Sequence, residues 1–84
     1  MLIRLIMDNK EKYKEIFTKS LSIDEKKFND KIKYNDIPEW DSIGHMTLMS
    51  GLEETFKISM DTDDVIEFSS YKKGIEILKK YKVF

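Results

Sequence analysis

Tyr13, Ile16, Phe17 and Leu21 recur at intervals of three and four residues with lysines and glutamates between them, the spacing that gathers apolar side chains on one face of an α-helix. Leu2 and Ile6 extend the same stripe toward the amino end. Asp8 followed three residues later by Glu11 resembles a capping box. The pattern therefore places the helix start near residue 2 or near residue 9, and its end between Ser20 and Ser22. From residue 23 to residue 41 the period is lost, although Phe28, Ile32, Tyr34, Ile37 and Trp40 keep recurring. A connection this apolar is expected to lie down on the bundle, with a helical turn around residues 25–28. Pro38 biases Ile37 toward an extended backbone and keeps helix from propagating into the next element.

Asp41 and Ser42 open a second helix whose apolar residues, Ile43, Met46, Leu48, Met49, Leu52 and Phe56, cover more than one face. Two readings fit that width: one face serves a partner, or a central helix touches several neighbours at once. Residues 57–61 read as a connector. Thr62 to Glu67 make a short helix with acids at its amino end, where the helix dipole favours them. Ser69 or Ser70 caps a last helix with Tyr71, Gly74, Ile75, Leu78 and Tyr81 as its buried stripe and lysines toward its carboxyl end. No stretch alternates polar and apolar residues long enough for a half-buried strand. The expectation is an all-α fold over residues 1–84 as a single domain: a small four-helix bundle of three longer helices and one short helix, with a long loop between helices 1 and 2.

Length and composition narrow the functions open to such a bundle. In 84 residues, 40% of them hydrophobic and 37% charged, there is no room for a large enclosed active site. Cysteine is absent and histidine occurs once, which removes disulfides, thiolate zinc sites and cysteine nucleophiles, and leaves no metal site expected. Arg4 interrupts the apolar opening and no run of about 20 apolar residues follows, so neither a signal peptide nor membrane insertion is expected and the protein reads as cytoplasmic. The net charge of −1 conceals an asymmetry: residues 1–35 carry +3, residues 36–67 carry −8 and residues 68–84 carry +4. An acidic middle repels phosphates. It argues against a nucleic-acid partner, and either attracts a basic protein surface or serves as a solvated face.

Candidate chemistry is sparse. Ser42 and His45 are neighbours at i and i+3, but a hydrolase needs the base oriented by a third group and an oxyanion hole in a water-excluded site, and 84 residues offer no obvious enclosure, so no enzyme is expected. Asp61, Asp63 and Asp64 lack the glycine turn and distal glutamate of a calcium loop. Ser42 remains as the informative residue. At a helix amino terminus after a long loop it is exposed, and a phosphate ester there would meet unpaired backbone N–H groups and the positive end of the helix dipole.

The run Trp40-Asp41-Ser42-Ile43-Gly44-His45-Met46, then Leu52-Glu53-Glu54-Thr55-Phe56, then Asp63-Asp64-Val65, in this order and spacing, resembles the acyl carrier protein family from about Asn9 to Tyr81. The resemblance implies 4′-phosphopantetheine attached to Ser42 by a phosphopantetheinyl transferase using coenzyme A, with acyl or aminoacyl groups carried as thioesters on its thiol. It implies that Asp41 helps engage the transferase, that Ile43, Met46 and Met60 are apolar partner contacts, and that Glu53, Glu54, Asp63 and Asp64 meet basic docking surfaces on acyl-loading and acyl-using enzymes of fatty-acid, polyketide or related biosynthesis. The protein would act as a monomer. Gly44, His45 and Thr47, with 15 basic residues, look more like a specialised discrete carrier than the central fatty-acid one. An apolar cargo would reach between the helices near Met46, Met49, Leu52, Ile66 and Ile75. The alternative from another class is an unmodified helical interaction domain. Trp40 either helps recognise a dedicated enzyme or pins the loop to the bundle; His45 is read as facing solvent, and Gly51 as a point of close helix approach or space for cargo.

Overall fold

The computed structural model describes residues 8–84, and the expected extension of the first helix through Leu2 and Ile6 lies outside them. Helix α1 (Asn9–Ser20) starts where the capping box placed it, with the Asp8 carboxylate accepting from Glu11 N–H at 2.9 Å. Tyr13 and Phe17, four residues apart, are fully buried, as is Leu21 just beyond the helix. Helix α2 (Ser42–Phe56) is capped by Asp41, whose carboxylate accepts from Gly44 N–H at 2.8 Å. Helix α3 (Thr62–Glu67) has Asp63 and Asp64 in its first turn. Helix α4 (Tyr71–Lys80) is capped by the Ser70 hydroxyl, accepting from Lys73 N–H at 2.9 Å, and ends on Lys79 and Lys80. The architecture is all-α: four helices among the described residues, three longer and one short, with the long connection between α1 and α2.

Three helices stop without glycine. Ser22, Lys57 and Lys82 take the left-handed conformation, with φ of 54°, 56° and 62°. Each is followed by an apolar residue whose N–H closes back onto the last turn: Ile23 to the Thr18 carbonyl, Ile58 to that of Glu53, and Val83 to that of Leu78. Val83 is buried, and Ile23 and Ile58 pack half-buried against the core. The strain of a side chain in that region, about 1–2 kcal/mol, is offset by satisfied carbonyls and by that apolar contact.

Residues 23–41 do lie on the bundle. Ile32 and Trp40 are buried, Phe28, Tyr34 and Ile37 are half-buried, and Lys27 and Phe28 donate to the Asp24 carbonyl in the expected helical turn. An antiparallel bridge between Lys33 and Ser70, with Tyr34 N–H donating to the Ser69 carbonyl and Tyr71 N–H to that of Ile32, ties the loop to the start of α4. Trp40 is fully buried, its ring edge-on to Phe17 at 5.1 Å, so it pins the loop. Around it the core is aromatic: Tyr13 stacks on Tyr71 at 4.5 Å and donates to the Tyr71 carbonyl at 2.8 Å, and burial pushes its phenol well above the ordinary range. A Cβ on Gly51 would sit 3.0 Å from Ser20 Oγ and 3.1 Å from Ile16 Cγ2, so this glycine is a point of close approach between α1 and α2.

Asp64, expected at a partner-facing surface, is buried and accepts hydrogen bonds from Lys80 and Tyr81, while the Tyr81 hydroxyl accepts from Asp61 N–H at 2.9 Å. This cluster clips α3 to the end of α4. The Lys80 bond, then the Tyr81 bond, hold the Asp64 carboxyl below its ordinary value of 3.8, and the same bonds raise Lys80 and Tyr81. A depressed carboxyl stabilises the fold at pH above its unfolded value, and that contribution is lost as pH falls through the lower folded value. The melting-temperature gap between the parent protein and Asp64→Asn should therefore hold steady from about pH 5 to 8 and close below about pH 4. A gap that does not narrow at all as pH falls below about 4 would assign the loss to packing rather than to charge.

Candidate functional site

Ser42 is the first residue of α2 and is exposed. The cap geometry determines what surrounds it. Asp41 takes up Gly44 N–H with its side chain and His45 N–H with its carbonyl. Among the described residues, the N–H groups of Ser42 and Ile43 have no protein acceptor and point out of the helix end. The Tyr34 hydroxyl lies 3.3 Å from Ser42 Oγ. The chain can come this close to α2 because residue 44 is glycine: a Cβ there would overlap the Glu39 carbonyl and stand 3.1 Å from Leu21 Cδ2.

Beside Ser42 a cleft of about 340 Å³ opens between α2 and α3, with Met46 and His45 on one side, Val65 and Ile66 on the other, and Tyr34 and Phe68 closing it. Of its lining residues Met46 is 58% and Ile66 72% exposed, so two large apolar side chains of the cleft stand in water, and Ile43, next to Ser42 in sequence, is 78% exposed. Of the residues named for an apolar cargo, Met46 and Ile66 line this cleft, whereas Met49 and Leu52 are core. A wider depression of about 580 Å³ between α1 and residues 22–25 is lined by mixed charges and contains none of the candidate cofactor- or partner-binding residues.

His45 departs from its expected solvent-facing position. It is half-buried, its ring lying parallel to the Trp40 indole at 6.1 Å, and Trp40 Nε1 donates to its Nδ1 at 2.9 Å. An indole nitrogen only donates, so Nδ1 must be the acceptor and Nε2 carries the proton, which goes to the Val65 carbonyl at 2.8 Å. Both ring nitrogens are committed. His45 cannot take a proton from Ser42 in this arrangement and instead joins the loop, α2 and α3.

The remaining site residues divide by burial. Glu54 and Asp63 are exposed, as are Asp41 and Ile43. Glu53 is half-buried and its carboxylate accepts from Met60 N–H at 2.8 Å, fastening the connector after α2. Met60 itself is in the core, 8% exposed, because that connector turns its side chain inward. Met60 and Asp64 therefore do not lie on the surface where they were expected. Among the described residues no group of histidines and acids could hold a metal ion, and no helix is long and apolar enough to cross a membrane. Tyr34 reads from the sequence only as one of the loop's apolar residues, since no periodicity relates it to a serine eight positions later. Comparison with protein-family models, with curated proteins and with solved structures returns no match.

Proposed function

We propose that this protein is a carrier, bearing 4′-phosphopantetheine on Ser42 and presenting acyl or aminoacyl groups to partner enzymes in the cytoplasm. One observation carries the reading: an exposed serine at the first position of a long helix, with two N–H groups beside it that meet no acceptor among the described residues, and an apolar cleft next to it. A phosphodiester fits that donor set, and the cleft gives an arm somewhere to lie. In the modification, the Ser42 Oγ–P bond forms as the phosphoanhydride P–O bond of coenzyme A breaks. Adenosine 3′,5′-bisphosphate departs, and the hydroxyl proton passes to a base of the transferase. The arm, once attached, supplies the thiol on which acyl groups ride as thioesters.

The chain's own residues do the presenting. Asp41 holds the helix end open by capping Gly44 rather than Ser42 or Ile43. Ile43, Met46 and Ile66 offer apolar contact, and Glu54 and Asp63 supply exposed negative charge to steer a basic partner. Incubation with a broad-specificity phosphopantetheinyl transferase and coenzyme A should add the mass of one 4′-phosphopantetheine, and Ser42→Ala should abolish the gain. An unchanged mass across several such transferases would leave the helical interaction domain as the reading, with the same apolar patch serving an unmodified contact.

A further inference from the structure

Tyr34 stands at Ser42 with little freedom to leave. Its backbone N–H donates to the Ser69 carbonyl at 2.9 Å, next to the bridge that ties the loop to α4. Its ring is edge-on to Trp40 at 6.0 Å and to His45 at 5.6 Å. Those two rings are themselves fixed, Trp40 by complete burial and His45 by hydrogen bonds at both nitrogens. The hydroxyl is thus held beside Ser42, where both residues line the α2–α3 cleft. Its 3.3 Å separation from Ser42 Oγ is longer than the 2.7–2.8 Å usual between hydroxyls, so the serine alone does not fill the position. A larger acceptor attached at the same oxygen would.

We propose that Tyr34 is a positioning residue for the arm: its hydroxyl donates to a non-bridging oxygen of the phosphodiester on Ser42 and draws the first bonds of the arm over the cleft. The inference rests on the carrier reading and adds to it a residue and a direction. The N–H groups of Ser42 and Ile43 approach the phosphate from the helix, and Tyr34 approaches from the loop. Donors on two sides leave one orientation favoured, where a helix terminus alone would leave the arm free to swing. The hydroxyl is the only atom this role requires.

The test uses protein carrying the arm, with ³¹P NMR as the readout. Tyr34→Phe keeps the ring and its packing but should move the phosphodiester resonance, sharpen the arm signals through faster motion, and lower kcat/KM for arm addition about tenfold, the factor expected from one hydrogen bond to a charged group. Thr47→Val removes a different hydroxyl on α2, one that bonds only to the Ile43 carbonyl, and should leave the ³¹P resonance in place. Independently of any variant, the Tyr34 ring resonances of the parent protein should shift on modification while those of Tyr81 stay put. Coincident ³¹P resonances in Tyr34→Phe and parent, or Tyr34 ring signals unmoved by modification, overturn the role of Tyr34 and leave the carrier reading standing. A parent chain that accepts no arm from any transferase overturns both.

Discussion

Trp40→Ala should remove about 3–5 kcal/mol of stability, the cost of truncating a fully buried tryptophan. Against the roughly 5–15 kcal/mol typical of a domain, that is a large fraction of the total stability. The loss has two parts. One is the cavity against Phe17 and Tyr34, which meet the indole edge-on at 5.1 and 6.0 Å. The other is His45 Nδ1, which loses its only donor in a half-buried site, a penalty of about 1–3 kcal/mol. Trp40→Phe separates them by restoring most of the volume without the N–H, and should fall between alanine and the parent. Urea midpoints check both variants. If Trp40→Ala unfolds within 1 kcal/mol of the parent, the indole does not pin the loop, and recognition of a partner returns as its role.

The second large effect is expected at Gly44. Alanine in the middle of a helix ordinarily stabilises by about 1 kcal/mol relative to glycine. Here the new methyl would collide with the Glu39 carbonyl, which is backbone and cannot rotate aside, so Gly44→Ala should instead cost about 1–3 kcal/mol. Relief requires the 38–40 lead-in to move off α2, which displaces Trp40 from its bond to His45 and the loop from Ser42. Gly51→Ala provides the internal comparison, because its methyl would meet side-chain atoms alone, Ser20 Oγ and Ile16 Cγ2, and needs them to give by only a few tenths of an ångström. Thermal melts should order the three proteins with Gly44→Ala well below the parent and Gly51→Ala close to it. Equal melting temperatures for the two glycine variants would contradict the backbone clash. If the site depends on this approach, Gly44→Ala should also accept the arm more slowly than Gly51→Ala at a temperature where both are folded.

Three helix starts carry a local signal because a cap acts over three residues: Asp8 with Glu11, Asp41 with Gly44, and Ser70 with Lys73. The pattern alone leaves α1 open between residues 2 and 9 and α4 between Ser69 and Ser70, and α3 starts at Asp61 with no side-chain cap bond. The apolar periodicity of α1 and α4 was legible for the same reason, and so was the prostrate loop, since five large apolar residues have nowhere else to go. Ser42 could be placed at an exposed helix terminus by this local logic. The ends of α1 and α2 fall where the pattern placed them, although Ser22, Lys57 and Lys82 occupy left-handed positions where glycine would have announced the stop, and the apolar residue that follows each closes the turn.

What the sequence could not decide is which polar side chains turn inward, because their partners are distant along the chain. His45 reads as one more polar residue on a helix until Trp40 and the Val65 carbonyl are brought to its two nitrogens. Asp64 reads as an acid for a partner until Lys80 and Tyr81 arrive from the end of α4, 16 and 17 residues away. Met60 reads as surface until Glu53 takes its N–H and folds the connector under. Tyr34 acquires meaning only when the loop is tied to α4. A cap or an amphipathic stripe lowers the free energy of its own segment and so is written locally. Burying a polar group is favourable only after its hydrogen-bond partners are in place, and that condition is met by the assembled tertiary structure alone.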